Sequence, residues 1–311
     1  MNFTPNRISV LVARKLPPAA TAVALILFCA CEFEAKTLLR SCEDGNASDC
    51  NVLGQKYYEG DHVLRDRPRA AGLFGDACDG DVAESCFRLA RMHQDIEGVT
   101  PDTSLMVDLL QKACDGGEMR GCTSLGILYE DTTIVSRDME RAASLFQRAC
   151  DGGDAAGCSN LGDLFYSGDG VAQDRPRAAE LYQEGCEGEA MDGCTKLGNL
   201  YAEGLGVDRD LNRAAQLYEQ ACDGDDWAGC SALAAMLATG SGVDQDFDRA
   251  SELYRRACNR RYAEACYGLG VLYESGTGVS RQPARAASLF QRACDLGYDA
   301  GCESISGDEN E

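Results

Sequence analysis

The eleven residues RAASLFQRACD occupy positions 141–151 and recur, letter for letter, at 285–295. An identity of that length inside one chain points to duplication, and the interval of 144 residues sets the scale for finding further copies. The cysteines supply them. With Cys29 and Cys31 left aside, the remaining sixteen of eighteen form eight pairs: Cys42 and Cys50, Cys78 and Cys86, Cys114 and Cys122, Cys150 and Cys158, Cys186 and Cys194, Cys222 and Cys230, Cys258 and Cys266, Cys294 and Cys302. Each pair spans eight positions and begins 36 residues after the one before, so the two copies of the opening stretch lie four periods apart. A fixed period of this size marks a solenoid, in which a unit too small to bury its own apolar face stacks on the next.

Other letters keep the same beat. Leu53, Leu89, Leu125, Leu161, Leu197, Leu233 and Leu269 mark one segment per repeat, and Leu73, Leu109, Leu145, Leu181, Leu217, Leu253 and Leu289 mark a second. In CSNLGDLFYSG (158–168) the apolar positions Cys158, Leu161, Leu164 and Phe165 form a helical stripe, which defines helix A. In DRPRAAELYQEGC (174–186) Ala178, Leu181, Tyr182 and Gly185 share one face, which defines helix B. Asp66, Asp102, Asp138, Asp174, Asp210 and Asp246 stand just before helix B, where a short carboxylate accepts hydrogen bonds from first-turn amides. The A-to-B linker often reads GxGV, and its valine, Val63 through Val279, is expected to be a buried anchor. Glycines beside the helix A leucine, such as Gly162 and Gly198, are expected to let helix B approach closely.

With 51 acidic residues against 29 basic ones the formal charge is −22, which repels phosphate backbones and anionic lipid headgroups. Nucleic acid is therefore not an expected partner. Residues 1–31 read separately: Arg7, Arg14 and Lys15 precede a small or apolar run from Ala19 to Ala30, the layout of an export signal. The segment ends LILFCAC, so Cys31 is a candidate lipidation site and the expected contact with a membrane is confined to that anchor. The expected organisation is a signal over 1–31, a degenerate leading helix over 32–41, repeats over 42–305 and a polar tail over 306–311. The repeats comprise seven 36-residue units and a terminal half unit.

Eighteen cysteines suit an oxidising compartment. Each pair flanks a short turn between the end of one helix B and the start of the next helix A, which brings the two sulfurs within disulfide reach. The competing reading is a metal site, but zinc sites group cysteines two to four apart and add histidines, and this chain has only His62 and His93. Asp208, Asp210, Asn212 and Glu219 echo a calcium loop, yet Arg213 stands where that loop needs glycine. Disulfides are expected, and no metal or other cofactor.

A whole unit reads CTKLGNLYAEGLGVDRDLNRAAQLYEQAC (194–222). This resembles the Sel1-like repeat family, and the cysteine pairing is similar to that of its Helicobacter cysteine-rich branch. The resemblance implies an all-α fold: a right-handed superhelical solenoid of antiparallel helix pairs, related to tetratricopeptide arrays, with the A helices lining the concave face. Two linkers, in 93–101 and 129–135, depart from the Gly-rich pattern and leave the local loop shape open.

In a solenoid the function lies where the letters vary. On helix A those outward positions include Arg88, Asn160 and Lys196 in one slot, Arg91, Asp163 and Asn199 in a second, and Tyr166 in a third. Together they are expected to line a groove for a protein or peptide partner, with the chain acting as a monomer. The resemblance also implies an alternative, because relatives in the cysteine-rich branch are described as penicillin-binding or β-lactamase-like. The residues offer that reading no nucleophile: none of the serines has a lysine three residues later, as S-x-x-K requires.

Overall fold

The computed structural model of the chain describes residues 33–131 and 134–307. Sixteen helices follow one another among those residues, with no strand: α1 over 33–43, then α2 (Ala47–Glu59), α3 (Arg67–Asp79), α4 (Ala83–Gln94), α5 (Thr103–Asp115), α6 (Met119–Glu130), α7 (Met139–Asp151) and α8 (Ala155–Ser167). There follow α9 (Arg175–Glu187), α10 (Met191–Glu203), α11 (Leu211–Asp223), α12 (Trp227–Thr239), α13 (Phe247–Asn259), α14 (Ala263–Ser275), α15 (Pro283–Asp295) and α16 (Asp299–Gly307). From α2 onward the even-numbered helices are the A helices and the odd-numbered ones the B helices. The segment read as an export signal, Cys31 included, lies outside the described residues, as do 308–311 of the polar tail. No described helix is long and apolar enough to cross a membrane.

The chain divides into two compact units, Met1–Gly121 and Cys122–Glu311. In the first, α2 packs on α3, α3 on α4 and α4 on α5; in the second each helix from α7 to α16 packs on its neighbours in the chain. Joined by short connections, such neighbours run antiparallel. The A helices of the second unit also touch one another, α8 on α10, α10 on α12 and α12 on α14, and so form a row of their own.

The B helices begin where the sequence says they should. The side chains of Asp66, Asp102, Asp138, Asp174, Asp210 and Asp246 each accept a hydrogen bond from the backbone N–H three residues on. Such a cap stabilises by about 1 kcal/mol. Helix α15 departs: Gln282 stands at the cap with no side-chain bond. Gln282→Asp is expected to raise stability by about 1 kcal/mol, read from the midpoint of chemical unfolding.

Burial follows the two stripes. In α8 the buried face includes Cys158, Leu161, Gly162 and Leu164, and in α9 it includes Ala178, Leu181, Tyr182 and Cys186. A Cβ on Gly162 would lie 2.6 Å from Tyr182 Cε1, and one on Gly198 would lie 2.6 Å from Tyr218 Cε1, so these glycines set the A-to-B distance. The linker valines, by contrast, are half-buried rather than buried, for the loop lies at the edge of the stack with one face in solvent.

Seven bridges join the end of a B helix to the start of the next A helix: Cys42–Cys50, Cys78–Cys86, Cys150–Cys158, Cys186–Cys194, Cys222–Cys230, Cys258–Cys266 and Cys294–Cys302. Their Cα atoms lie 4.4 to 4.8 Å apart. Cys114 and Cys122 are disulfide-bonded too. Glu184 comes within 3.4 Å of Cys150 Sγ and 3.9 Å of Cys158 Sγ, but these sulfurs are bonded to each other and are not thiolate ligands.

The aberrant linker of 93–101 keeps the two left-handed positions of the others, although α4 ends one residue earlier in register, with Asp95 at its C-cap. Ile96 takes φ 56° at the register where Gly60, Gly168 and Gly204 take 81°, 86° and 74°. A β-branched residue in that region is strained by roughly 1–2 kcal/mol, and Ile96 is exposed. Ile96→Gly is therefore expected to raise the unfolding midpoint rather than lower it. In the other aberrant linker, residues 132–133 lie outside the described residues.

Candidate functional site

Each unit carries the same depression on its A-helix face. In the first it is lined by Tyr58, Phe74, Phe87, Arg88, Arg91, Met92, Asp95 and Arg120. In the second it is lined by Asp163, Tyr166, Tyr182, Lys196, Asn199, Leu200, Glu203 and Leu205. Each holds about 210 Å³. Six of the lining positions coincide at an offset of 108 residues, three repeats: Tyr58 with Tyr166, Phe74 with Tyr182, Arg88 with Lys196, Arg91 with Asn199, Met92 with Leu200 and Asp95 with Glu203. The depression thus belongs to a register of the repeat, with an aromatic pair as its floor and a cation on its wall.

Of the positions that the sequence singles out, the structure gathers Asp163, Tyr166, Lys196 and Asn199 into one depression and Arg88 and Arg91 into the other. Asn160 is half-buried on α8, one repeat before Lys196, and is not among the lining residues.

These groups are already tied to one another. Lys196 Nζ donates to Asp163 Oδ2 at 2.7 Å and to Asp192 Oδ2 at 2.9 Å, while the Tyr182 hydroxyl donates to Asp163 Oδ1 at 2.7 Å. The Tyr218 hydroxyl donates to Asn199 Oδ1 at 2.6 Å. In the first unit Arg88 bonds Glu84 at 2.7 Å and also reaches Gln55, the register that Asp163 holds in the second. Bonds spanning 33 residues therefore stitch one A helix to the next and hold these side chains in place.

The shifts at Lys196 and Tyr182 suit recognition better than proton transfer. Burial alone would lower the Lys196 pKa, but the Asp163 and Asp192 carboxylates outweigh it and hold the ammonium above its ordinary value. Burial and the Asp163 charge push the Tyr182 phenol well above its usual range. Burial, with Asp163 nearby, raises Glu130. A base or nucleophile working near neutrality needs an amine or phenol shifted downward, and both shift the other way.

Sequence reading missed the contribution of helix B. Phe74 and Tyr182 count as core residues by their stripe, and both are nearly fully buried, yet their rings floor the depression. A partial signal was present: Tyr182 and Tyr218 have the polar residues Asp163 and Asn199 nineteen places earlier, and Phe146 and Phe290 have Ile127 and Val271, but Tyr254 has Ala235 and Phe74 has Gln55, so the pattern does not hold in every repeat.

Fold and depression together define a disulfide-bonded α/α repeat scaffold. The Sel1 repeat family model matches residues 47–82, 83–118, 120–154, 155–189, 192–226, 227–262 and 263–298. The chain belongs to the Sel1 repeat family. A solved protective antigen present in uropathogenic Escherichia coli strains, displaying an SLR fold, is 27% identical over 88% of this chain with a TM-score of 0.74; the chain spans 58% of that protein's length. A Sel1 repeat protein from Oxalobacter formigenes is 22% identical, with a TM-score of 0.71 over 88% of this chain and 80% of its own. Helicobacter pylori cysteine-rich protein B is 29% identical over 43% of this chain and 97% of its own, with a TM-score of 0.36. No curated protein matches the chain.

Proposed function

We propose that the protein is an exported scaffold that holds a protein or peptide partner along its A-helix row, with Arg88, Arg91, Asn160, Asp163, Tyr166, Lys196 and Asn199 in the contact surface. The observation that carries this reading is the depression built twice at one register, three repeats apart, each time with an aromatic pair and a cation. A recess lined by aromatic rings and a cation suits the side chains of a protein or peptide partner. Multiple disulfides belong to an oxidising, extracytoplasmic setting. The basic and apolar character of 1–31 supports export, and Cys31 is the candidate for acylation.

The test is crosslinked capture from an oxidised envelope extract. Tyr58→Ala and Tyr166→Ala each remove an aromatic wall at the groove, a residue type that carries a large share of binding energy. Each is expected to weaken capture about tenfold, equal to roughly 1.4 kcal/mol, with helix content unchanged by circular dichroism. Capture undiminished by both substitutions would place the contact on the B helices instead.

A further inference from the structure

Tyr58 and Tyr166 occupy one register of the repeat, and so do the arginines that stack on them. Arg67 lies 5.5 Å over the Tyr58 ring and Arg175 lies 5.5 Å over the Tyr166 ring. The Nε of each arginine is buried without a partner, so both guanidinium groups offer only their terminal nitrogens. The loop above is equivalent as well: a Cβ on Gly98 would strike Arg67 at 2.6 Å, and one on Gly206 would strike the Arg175 backbone at 2.5 Å.

The two places differ in what fills them. In the first unit the residue before Gly98 is Glu97, whose carboxylate accepts from Arg67 Nη2 at 3.1 Å and from the Tyr58 hydroxyl. In the second unit the residue before Gly206 is Leu205, which lines the depression beside Tyr166. Arg175 there makes no ion pair or hydrogen bond through its side chain among the described residues, and its guanidinium lies over the Tyr166 ring. A guanidinium held against an aromatic face is more weakly hydrated than an ammonium and pairs readily with a carboxylate. The first unit thus displays, in its own chain, the ligand chemistry that the second lacks.

We propose that Tyr166 and Arg175 form a seat for a carboxylate of the partner, in the position that Glu97 fills from within the chain in the first unit. The carboxylate is a Glu or Asp side chain or a free C-terminus. The proposal rests on the A-helix row being the partner surface, but the seat can be tested without a partner. Leu205→Glu supplies the carboxylate in cis. It is expected to melt roughly 2 °C or more above Leu205→Gln, and the difference is expected to vanish when Arg175→Met is added to both. Equal melting of the two Leu205 variants, or a gain that survives Arg175→Met, overturns the seat whatever the partner.

A second arm uses immobilised decapeptides in four forms: free C-terminus, C-terminal amide, internal Glu and internal Gln. Peptides that bind are expected to lose at least tenfold in affinity to Arg175→Met and to Leu205→Glu, and to lose as much when their own carboxylate is amidated or replaced by Gln. Which replacement matters identifies a terminal or a side-chain source. Binding that ignores both the peptide carboxylate and the two variants overturns the proposal. If no peptide binds, while Leu205→Glu gains its Arg175-dependent stability, the seat stands and the peptide reading of the groove fails.

Discussion

Treated with excess dithiothreitol, the purified protein is expected to lose its cooperative thermal transition, and most of its helical circular dichroism signal near 37 °C with it. Each bridge closes a loop of eight positions, for which chain entropy gives roughly 2 to 3 kcal/mol. Seven such contributions together rival the roughly 5–15 kcal/mol by which a typical domain is stable. They also act where the packing is thinnest, at turns whose buried atoms are largely the sulfurs themselves and small residues. In a repeat protein stability is close to a sum of unit and nearest-neighbour terms, so no distant contact compensates. A reduced chain that melts within a few degrees of the oxidised one would show that helix packing alone carries the stack.

A second large effect is expected from a single methyl group. Gly198→Ala places a Cβ against the Tyr218 ring, which is nearly fully buried, and overpacking of this kind costs about 1–3 kcal/mol. The chain itself contains the remedy. One repeat later the same register holds Ala234, and there the facing ring of Tyr254 lies over Gly268, whose absent Cβ would sit 2.5 Å from Tyr254 Cζ. The position equivalent to Gly268 in front of Tyr218 is Ala232. Ala232→Gly is therefore expected to recover at least half of the loss when combined with Gly198→Ala, though destabilising alone by roughly 0.5–1 kcal/mol. Simple additivity of the two substitutions in urea melts would show that the ring does not move between the two glycine positions.

This exchange of glycines also explains what the sequence could and could not reveal. The period, the helix pairs, the Asp caps and the cysteine partners are local features, each repeated six to eight times, so noise in one copy is corrected by the others. The 36-residue beat alone placed Leu161 and Leu197 in the core, where they are almost wholly buried. The groove residues are unlike this, because their roles depend on which side chain the adjacent repeat contributes. Lys196 reads as an outward cation, yet it is bonded to Asp163 from the repeat before and to Asp192 one turn back. Tyr182 reads as core, yet its hydroxyl holds Asp163 from above. Arg175 reads as an ordinary first-turn residue, and its isolation becomes visible only beside the filled counterpart at Arg67. Ile96 likewise departs from the glycine pattern in letters while keeping its backbone geometry, because the flanking helices dictate the path of a short linker.

The placement of the bridges has a consequence for how proteases dismantle the molecule. Every one of the seven spans the turn from helix B to the following helix A, so none of them straddles a linker such as Gly168–Gln173. A protease that nicks one linker therefore severs the covalent thread at that point, with no sulfur left to hold the ends. Fragments should then differ by whole repeats of 36 residues, about 4 kDa each in a 33.3 kDa chain of 311. Such a digest would survive as a ladder of shortened, still-knitted segments rather than collapse into small peptides.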